Sequence, residues 1–351
     1  MRFGAFIAPY HQPDGKFADA FERDLSLVER LEDLGYHEAW FGEHHSGGWE
    51  TITSPELMVA AAAQRTTRIR LGTGVVSLPY HHPLMVADRI LMLDHLTRGR
   101  LLFGVGSGAL EGDARMIGLD PAERTARFAE RLDAVQTLLQ GTSPVTQDGA
   151  GFQLRNARPQ LPGFGGRTPP LYVASSFAGA GFRLAAARGT GLLLLGLGRN
   201  AAGFRQAAAA ASAAGHPIDR DGTLVILNIH VADSRRAAIE AIREGATREQ
   251  YEYWNAVVGM PAPDYPPNEH VERMIERGLL VAGSPGEVVD ALNALFEQTG
   301  RVGGVLVAAR EWADAAATDR SHELFAHEVM PAFGATPDRA DLAPERVLGR
   351  L

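Results

Sequence analysis

Short apolar runs alternate with longer segments of helical periodicity along most of this chain, and that alternation restricts the possible folds more than any other feature. Eight runs are typical of β-strands, at residues 3–8, 38–41, 69–77, 101–105, 171–174, 191–197, 223–231 and 304–308. Helical segments follow them at 17–34, 55–64, 83–96, 120–139, 179–188, 203–214, 285–298 and 319–333, with another from 234. Strands that alternate with helices form parallel sheets, so eight units in 351 residues favour a closed (β/α)8 TIM barrel over a doubly wound sheet with a second domain.

Two segments interrupt the alternation. Residues 141–170 are rich in glycine and proline, which predicts an excursion with a hairpin around 152–154. Residues 251–284 carry aromatic side chains and prolines, which favours a substrate lid or wall, with a disordered loop as the alternative. We therefore predict a single barrel domain over 1–333 and a C-terminal tail over 334–351.

Composition excludes several classes of function. The formal net charge of −8, without a basic stripe, argues against a nucleic-acid partner. The absence of cysteine excludes disulfides, thiolate metal sites and cysteine nucleophiles. The longest apolar runs, at 57–63 and 191–197, are too short for a membrane helix, and the first residues do not resemble a signal peptide. We expect a cytoplasmic protein.

In a barrel of this kind, functional residues lie at the C-terminal ends of the strands. Glu43-His44-His45 directly follows the second predicted strand, and a neutral imidazole is suited to act as a general base. Surface loops also hold histidines without a function. A zinc site would need more ligands, and His81 and His82 are the available ones, but their spacing fits no known metal motif. We therefore predict no metal.

Small residues end the third and fourth predicted strands, around Gly74 and at Gly106-Ser107. Such residues allow a flat ring to approach the backbone, although close packing in a tight barrel would also select them. Residues 104–109 read GVGSGA, which resembles half of a dinucleotide fingerprint. That fingerprint belongs in a first βαβ unit, whereas here three βα units precede it, so glycine for close ligand approach is the better interpretation.

A phosphate site is predicted where Ser175 and Ser176 follow the fifth strand and precede a helix. Hydroxyls and free N–H groups at a helix N-terminus bind anions, although such a serine also serves as a simple cap. Arg124 lies on the inward stripe of its helix, four residues before Phe128, whereas Arg127 is rotated away. The Arg124 guanidinium is suited to complete a phosphate site.

These motifs resemble a known family. The stretch 38–108 contains a strand ending in EHH, then RIRLGTGV, LPYHHP and LDHLTRGR in that order, and it resembles the luciferase-like flavin monooxygenases. The opening FGAFIAPYHQP together with EHHSGGWE is closest to the limonene monooxygenase-like subgroup.

The resemblance implies a barrel that binds reduced FMN (FMNH2), delivered by a separate NAD(P)H:flavin reductase. Reduced FMN would react with O2 to give a C4a-hydroperoxide, which oxygenates a small, apolar organic substrate. Barrels of this family commonly pair through their second and third helices, so a homodimer is expected. The implied assignments are His44 as catalytic residue, Gly74-Val75 as a non-prolyl cis peptide under the flavin ring, and Gly106, Ser107, Arg124, Ala174, Ser175 and Ser176 as further cofactor-binding residues. Tyr10, Tyr253 and Trp254 are assigned to the substrate.

The chain departs from the luciferases proper. They carry Cys-Arg at the position of Gly106-Ser107, an acid at Ser175 and threonine at Gly179, and these differences argue against light emission and long-chain aldehyde substrates. Two alternatives stay open: a deazaflavin-dependent oxidoreductase of the same superfamily, and a non-catalytic flavin-binding protein or inactive heterodimer partner.

Overall fold

The computed structural model describes residues 1–176, 179–195 and 201–335, in which eight parallel strands close into a barrel. The strands are β1 (Arg2–Ile7), β2 (Glu38–Phe41), β3 (Arg70–Thr73), β4 (Val76–Ser77), β5 (Leu101–Gly106), β6 (Val145–Gly149), β7 (Phe152–Ala157), β8 (Leu171–Ser176), β9 (Gly191–Leu195), β10 (Thr223–Val231), β11 (Leu280–Gly283) and β12 (Gly304–Ala309). The barrel order is β1-β2-β3-β5-β8-β9-β10-β12, and β12 returns to β1. The predicted TIM barrel is confirmed.

Helices surround the barrel. They are α1 (Phe17–Asp33), α2 (Pro55–Arg65), α3 (Pro83–Leu96), α4 (Glu111–Met116), α5 (Arg124–Gln140), α6 (Ala180–Arg188), α7 (Ala201–Ala213), α8 (Arg235–Arg248), α9 (His270–Glu276), α10 (Pro285–Thr299) and α11 (Ala315–Leu324). No helix in this described part of the chain has both the length and the apolar character needed to cross a membrane.

The alternation of side chains along each strand builds two layers of core, because successive residues point to opposite faces. In β1, Phe3 and Ile7 face outward and pack in the large core between strands and helices. Phe6 points inward, against a smaller cluster inside the barrel that includes Trp40. A Cβ on Gly72 would collide with the Trp40 ring, so close packing accounts for that glycine.

The structure corrects several predicted boundaries. The third predicted strand, 69–77, is divided into β3 and β4 by the cis peptide Gly74-Val75. The last predicted helix, 319–333, begins at Ala315, because Asp314 caps it, and continues as π-helical and 3-10 turns to Phe333. The short helix α4 was not predicted. Within 141–170, β6 and β7 form the predicted hairpin. The predicted strand end at 196–197 and the tail from 336 lie outside the described residues.

Candidate functional site

Five adjacent strand ends carry the predicted site residues at one mouth of the barrel. Parallel pairing runs β1-β2-β3-β5-β8, so the C-terminal ends of these strands are neighbours. Around this arc the chain places, in order, Tyr10, His44, Gly74-Val75, Gly106-Ser107 and Ala174 to Ser176. The structure thus brings together residues that lie up to 166 positions apart in the sequence.

The middle of the arc consists of small residues, Gly74-Val75 and Gly106, at the ends of neighbouring strands. The Gly74-Val75 peptide is cis, as the resemblance implied. In β4, Ser77 pairs with Gly106, and a Cβ added to Gly106 would lie 2.7 Å from Val75 Cγ2. Close packing therefore explains Gly106 in part. The side chains of Val75 and Ala174 are only partly buried and line the apolar end of the barrel interior.

His44 lies between two buried carboxylates. Its Nδ1 is 2.9 Å from Oδ2 of Asp113, which belongs to α4, and its Nε2 is 3.5 Å from Oε2 of Glu50. Oδ1 of Asp113 also accepts hydrogen bonds from the Ser46 hydroxyl and the His45 backbone N–H, at 2.5 and 3.1 Å. These bonds fix Asp113, and Asp113 in turn fixes the imidazole ring.

The carboxylates favour the protonated form of His44. Burial opposes a charge on the ring, but the negative charge of Glu50 and the hydrogen bond to Asp113 outweigh it and raise the pKa of His44. Burial likewise opposes ionisation of Asp113, yet its hydrogen bonds from His44 and Ser46 keep the pKa of Asp113 below its usual value. The two shifts both favour an imidazolium beside a carboxylate.

The neighbouring His45 turns in another direction, toward Glu43. Its Nε2 is 2.9 Å from Oε1 of Glu43, and His81 lies 3.5 Å from the same oxygen. The other oxygen of Glu43 accepts the backbone N–H of Ser77, 3.0 Å away. Through these hydrogen bonds Glu43 connects the loop after β2 with Ser77 of β4. Among residues 1–176, 179–195 and 201–335, no group of three side chains is arranged to hold a metal ion.

The predicted phosphate residues separate into two kinds. The Ser175 hydroxyl accepts the N–H of Phe182, 2.9 Å away in the first turn of α6, and therefore acts as a cap. Ser176 is exposed. The guanidinium of Arg124 donates to the carbonyls of Gly108 and Ala109, at 3.1 and 3.0 Å, and has no carboxylate partner within the described ranges.

Arg127 differs from Arg124 because it forms an ion pair with Glu123, at 2.7 Å. Val105 pairs with Val173, so the C-terminal ends of β5 and β8 are neighbours. Arg124 donates to two carbonyls of the loop that follows β5, and Ser176 is the last residue of β8. The guanidinium and the exposed hydroxyl therefore belong to two neighbouring βα units.

Aromatic side chains close one side of the mouth. Of the predicted substrate residues, Tyr253 contacts both others: its ring centroid lies 5.8 Å from that of Tyr10 and 4.8 Å from that of Trp254. Trp49, which was not predicted, packs against both tyrosines at 5.4 and 5.9 Å. Tyr10 and Tyr253 are buried, so they form the inner layer of this wall.

The segment predicted as a lid, 251–284, is regular for much of its length. Its first part belongs to a π-helical segment, Glu249–Asn255, which we call the mouth segment. Farther on lie α9 and β11, and β11 extends the sheet beside β10. Tyr251 and Tyr265 do not reach the mouth, because they pack around His270 instead.

A cavity of about 750 Å³ lies on the outer side of the mouth, between α1 and the residues leading into α11. Of the predicted site residues only Tyr10 lines it. Because His44, Gly106 and Arg124 face elsewhere, we do not place the reaction in this cavity.

Sequence reasoning missed the two acids that hold His44. Asp113 is 1% exposed and Glu50 is 7% exposed, although both occur in polar segments that follow strand ends. In the sequence they look like solvated loop acids. Their position after strands of a barrel, close to a histidine motif, is the only signal that could have indicated them.

Comparison with known proteins gives a consistent result. The luciferase-like monooxygenase family model matches residues 1–302. The chain is 44% identical to 4-hydroxyprotoasukamycin monooxygenase of Streptomyces nodosus subsp. asukaensis, over 96% of this chain and 94% of the relative. It is 39% identical to limonene 1,2-monooxygenase of Rhodococcus erythropolis, over 97% of this chain and 88% of the relative.

A solved structure shares the fold. The oxygenating constituent of 3,6-diketocamphane monooxygenase from Pseudomonas putida, a type II Baeyer-Villiger monooxygenase in complex with FMN, superposes with a TM-score of 0.81 at 26% identity. The match covers 94% of this chain and 98% of that chain. With its closed barrel and the strand-end arc from Tyr10 to Ser176, this chain belongs to the luciferase-like monooxygenase family.

Proposed function

We propose that the protein is an FMN-dependent monooxygenase that uses reduced FMN and O2 to oxygenate a small, apolar organic molecule. The observation that carries the proposal is that one barrel mouth holds both His44, which two buried acids fix, and Arg124, which donates to backbone carbonyls and has no carboxylate partner among the described residues. The first is suited to proton transfer and the second to a phosphate group.

The donor set fits FMN in particular. Among the described residues Arg124 has no carboxylate partner, Ser176 has an exposed hydroxyl at the end of β8, and α6 begins four residues later at Ala180. Gly74 and Gly106 lie at the ends of the strands between these groups and His44, where any larger side chain would collide with Phe6 or Val75, and the partly buried apolar side chains of Val75 and Ala174 lie beside them. Phosphate at one end and a planar heterocycle at the other are the two recognisable parts of FMN.

The residues of the chain have separate tasks in this proposal. Reduced FMN, when bound, supplies two electrons and, at its C4a carbon, activates O2, so that one oxygen atom enters the substrate and the other leaves as water. Arg124 and Ser176 hold the phosphate. His44 holds or moves a proton at Nε2, and the aromatic wall of Tyr10, Trp49, Tyr253 and Trp254 excludes water from the mouth.

An apolar substrate is supported by what surrounds the mouth. Phe6, Val75 and Ala174 are partly buried apolar side chains that pack against the cluster inside the barrel, and Phe6 also packs against the aromatic wall. The names of similar proteins, limonene 1,2-monooxygenase and 3,6-diketocamphane 1,6-monooxygenase, point to substrates of this kind. Limonene is therefore a reasonable first probe.

The function is tested by mixing the protein, pre-equilibrated anaerobically with photoreduced FMN and limonene, with 18O2. We expect saturable binding of reduced FMN, a transient change in flavin absorbance after mixing, and one labelled oxygen atom in the product. Failure to bind reduced FMN, or consumption of O2 without any protein-dependent absorbance change, would contradict the proposal. An unrelated NAD(P)H:flavin reductase should sustain turnover, since its only task is to supply FMNH2.

The same experiment separates the alternatives. A deazaflavin that binds at least tenfold more tightly than FMN, with no O2 consumption, would favour the deazaflavin-dependent oxidoreductase. Binding of FMN without any turnover across a panel of apolar probes would favour the non-catalytic flavin-binding protein. We also propose, from the sequence alone, a cytoplasmic location and a single domain over 1–333.

The protein is further proposed to be a homodimer that pairs through α2 and α3. Leu57 on α2 and Met85, Met92 and Leu96 on α3 are exposed by 71%, 54%, 57% and 41%. On α3 these positions recur at helical spacing and form one apolar stripe.

We expect Met92→Glu to convert the dimer to a monomer in sedimentation experiments, because a charge would be buried in the interface. Met116→Glu on α4, where Met116 is 71% exposed, is the matched control and should leave the assembly unchanged. A wild-type monomer, or equal effects of the two variants, would refute the proposed interface.

A further inference from the structure

Glu50 occupies a fixed position where the loops after β1 and β2 meet. Tyr10 and Glu50 form an antiparallel bridge, and the N–H of Thr51 donates to the Pro9 carbonyl, 2.7 Å away. Glu50 is 7% exposed. The backbone of two loops therefore decides where this carboxylate stands, and solvent has little access to it.

Two different groups share one oxygen of Glu50. Oε2 accepts a hydrogen bond from the Tyr253 hydroxyl, and the same atom lies 3.5 Å from Nε2 of His44. No arginine or lysine in the described part of the chain forms an ion pair with Glu50. A buried carboxylate without a fixed positive partner is unfavourable for folding. Its presence beside His44 therefore points to a role in the reaction.

A second buried acid of the mouth segment shows what a purely structural carboxylate looks like here. Glu249 is 3% exposed, forms an ion pair with Arg310, and accepts the indole N–H groups of Trp254 and Trp312 at 2.9 and 2.6 Å. Its charge is fully matched by fixed donors. Glu50 instead faces a titratable ring that the proposed mechanism uses.

Tyr253 and His44 compete for the negative charge of Glu50. Burial and the neighbouring carboxylate raise the pKa of Tyr253, so its hydroxyl keeps its proton and remains a donor. A donor directed at Oε2 draws negative charge away from the imidazole. Loss of the hydroxyl should thus strengthen the hold of Glu50 on the His44 proton, and loss of the carboxylate should weaken it.

The other charges around His44 come from two elements. Asp113 approaches from α4, and Glu43 and His45 belong to the same turn as His44. Burial lowers the pKa of His44, while Glu50, then Asp113 and more weakly Glu43 raise it. Glu50 is the only one of these acids that also contacts the mouth segment.

We propose that Glu50 and Tyr253 are positioning residues that together set how firmly His44 holds its Nε2 proton, because the Tyr253 hydroxyl and the imidazole share one carboxylate oxygen of Glu50. When the hydroxyl is on Glu50, His44 is the stronger acid. Without that hydroxyl, Glu50 would interact with the imidazole alone and His44 would be the weaker acid. The inference rests on the role proposed above for His44.

The test is an NMR titration of histidine Cε1 signals in the flavin-free protein, with the His44 signal assigned by its loss in His44→Gln. Glu50→Gln should lower the pKa of His44 by about one unit, because an attractive charge is removed. Tyr253→Phe should raise it by roughly half a unit, because the competing donor is removed. Tyr251→Phe is the matched control and should change nothing, since its hydroxyl donates to the Tyr265 carbonyl.

Opposite shifts in the two variants support the inference. An unchanged His44 pKa in Glu50→Gln, or shifts of the same sign in both variants, would overturn it. Tyr253→Phe keeps the charge of Glu50 in place, so the inference can be judged from this variant even when Glu50→Gln folds poorly. Glu50→Asp should restore most of the wild-type pKa, which a role limited to packing would not predict.

Activity then distinguishes this inference from the proposed function. In turnover assays Glu50→Gln should lower kcat and shift the pH profile. The Kd for FMN should change by less than about threefold, because Glu50 does not belong to the proposed phosphate site of Arg124 and Ser176. Opposite NMR shifts without any FMN binding would leave the inference standing and refute the proposed function. FMN-dependent turnover without the opposite NMR shifts would support the proposed function and refute the inference.

Discussion

Replacement of His44 by alanine is expected to lower kcat by about 100- to 10,000-fold, the usual contribution of a positioned acid or base, while the Kd for FMN changes less than about threefold. The reason is geometric, because His44 is held by Asp113 and Glu50 and does not belong to the proposed phosphate site. Turnover is measured with excess reduced FMN, and binding is measured separately by fluorescence quenching.

Two further variants make that result specific. His44→Gln keeps a hydrogen-bonding side chain between the two acids but cannot carry the proton, so it should be as slow as His44→Ala. His95→Ala removes an exposed histidine whose ring bonds to the Pro162 carbonyl, 3.0 Å away, and it should behave like the wild type. Unimpaired turnover in His44→Ala would remove this residue from the mechanism.

Arg124→Ala is expected to weaken FMN binding by roughly 10- to 100-fold, since charge-assisted hydrogen bonds contribute about 1.5–3 kcal/mol. Riboflavin, which lacks the phosphate, should bind the variant and the wild type equally. The ratio of the two affinities, measured by equilibrium titration, thus reports the phosphate contact alone. Ser176→Ala should show the same selectivity with a smaller loss, about two- to tenfold.

Arg127→Ala provides the matched control for this experiment. Arg127 lies on the same helix one turn away, but its guanidinium is already paired with Glu123. It should therefore leave FMN binding nearly unchanged. Equal losses for FMN and riboflavin in Arg124→Ala would mean that Arg124 only supports the loop at Gly108 and Ala109, and the phosphate assignment would be wrong.

Local chemistry made the barrel predictable from the sequence. Strands such as Leu101–Gly106 are buried throughout, so each appears as a short apolar run between helical segments. The helix α10 begins with Ser284, Pro285 and Glu287, a capping pattern that is visible in the sequence and present in the structure. Where such local signals were weak, as at the six-residue helix α4, the element was missed.

The site was predictable only in part, because its decisive contacts are between distant segments. His44 and Arg124 could be proposed from motif and helix register. That Asp113 faces Nδ1 of His44 depends on where α4 packs, and the contact of Tyr253 with Glu50 joins residues 203 positions apart. No local spacing encodes such contacts. The division of the third predicted strand at Gly74-Val75 could be expected only from the family resemblance.

The bridge between Tyr10 and Glu50 has a consequence for how such an enzyme can acquire new substrates. It fixes the backbone at Glu50 within the first 51 residues, whereas the Tyr253 hydroxyl reaches the same carboxylate from the mouth segment, 203 positions later in the sequence. The backbone that places Glu50 beside His44 and the segment that forms part of the aromatic wall can therefore change separately in evolution. Substitutions in the mouth segment can change which substrate enters, provided that a hydroxyl still reaches Glu50. The placement of Glu50 beside His44 would stay the same.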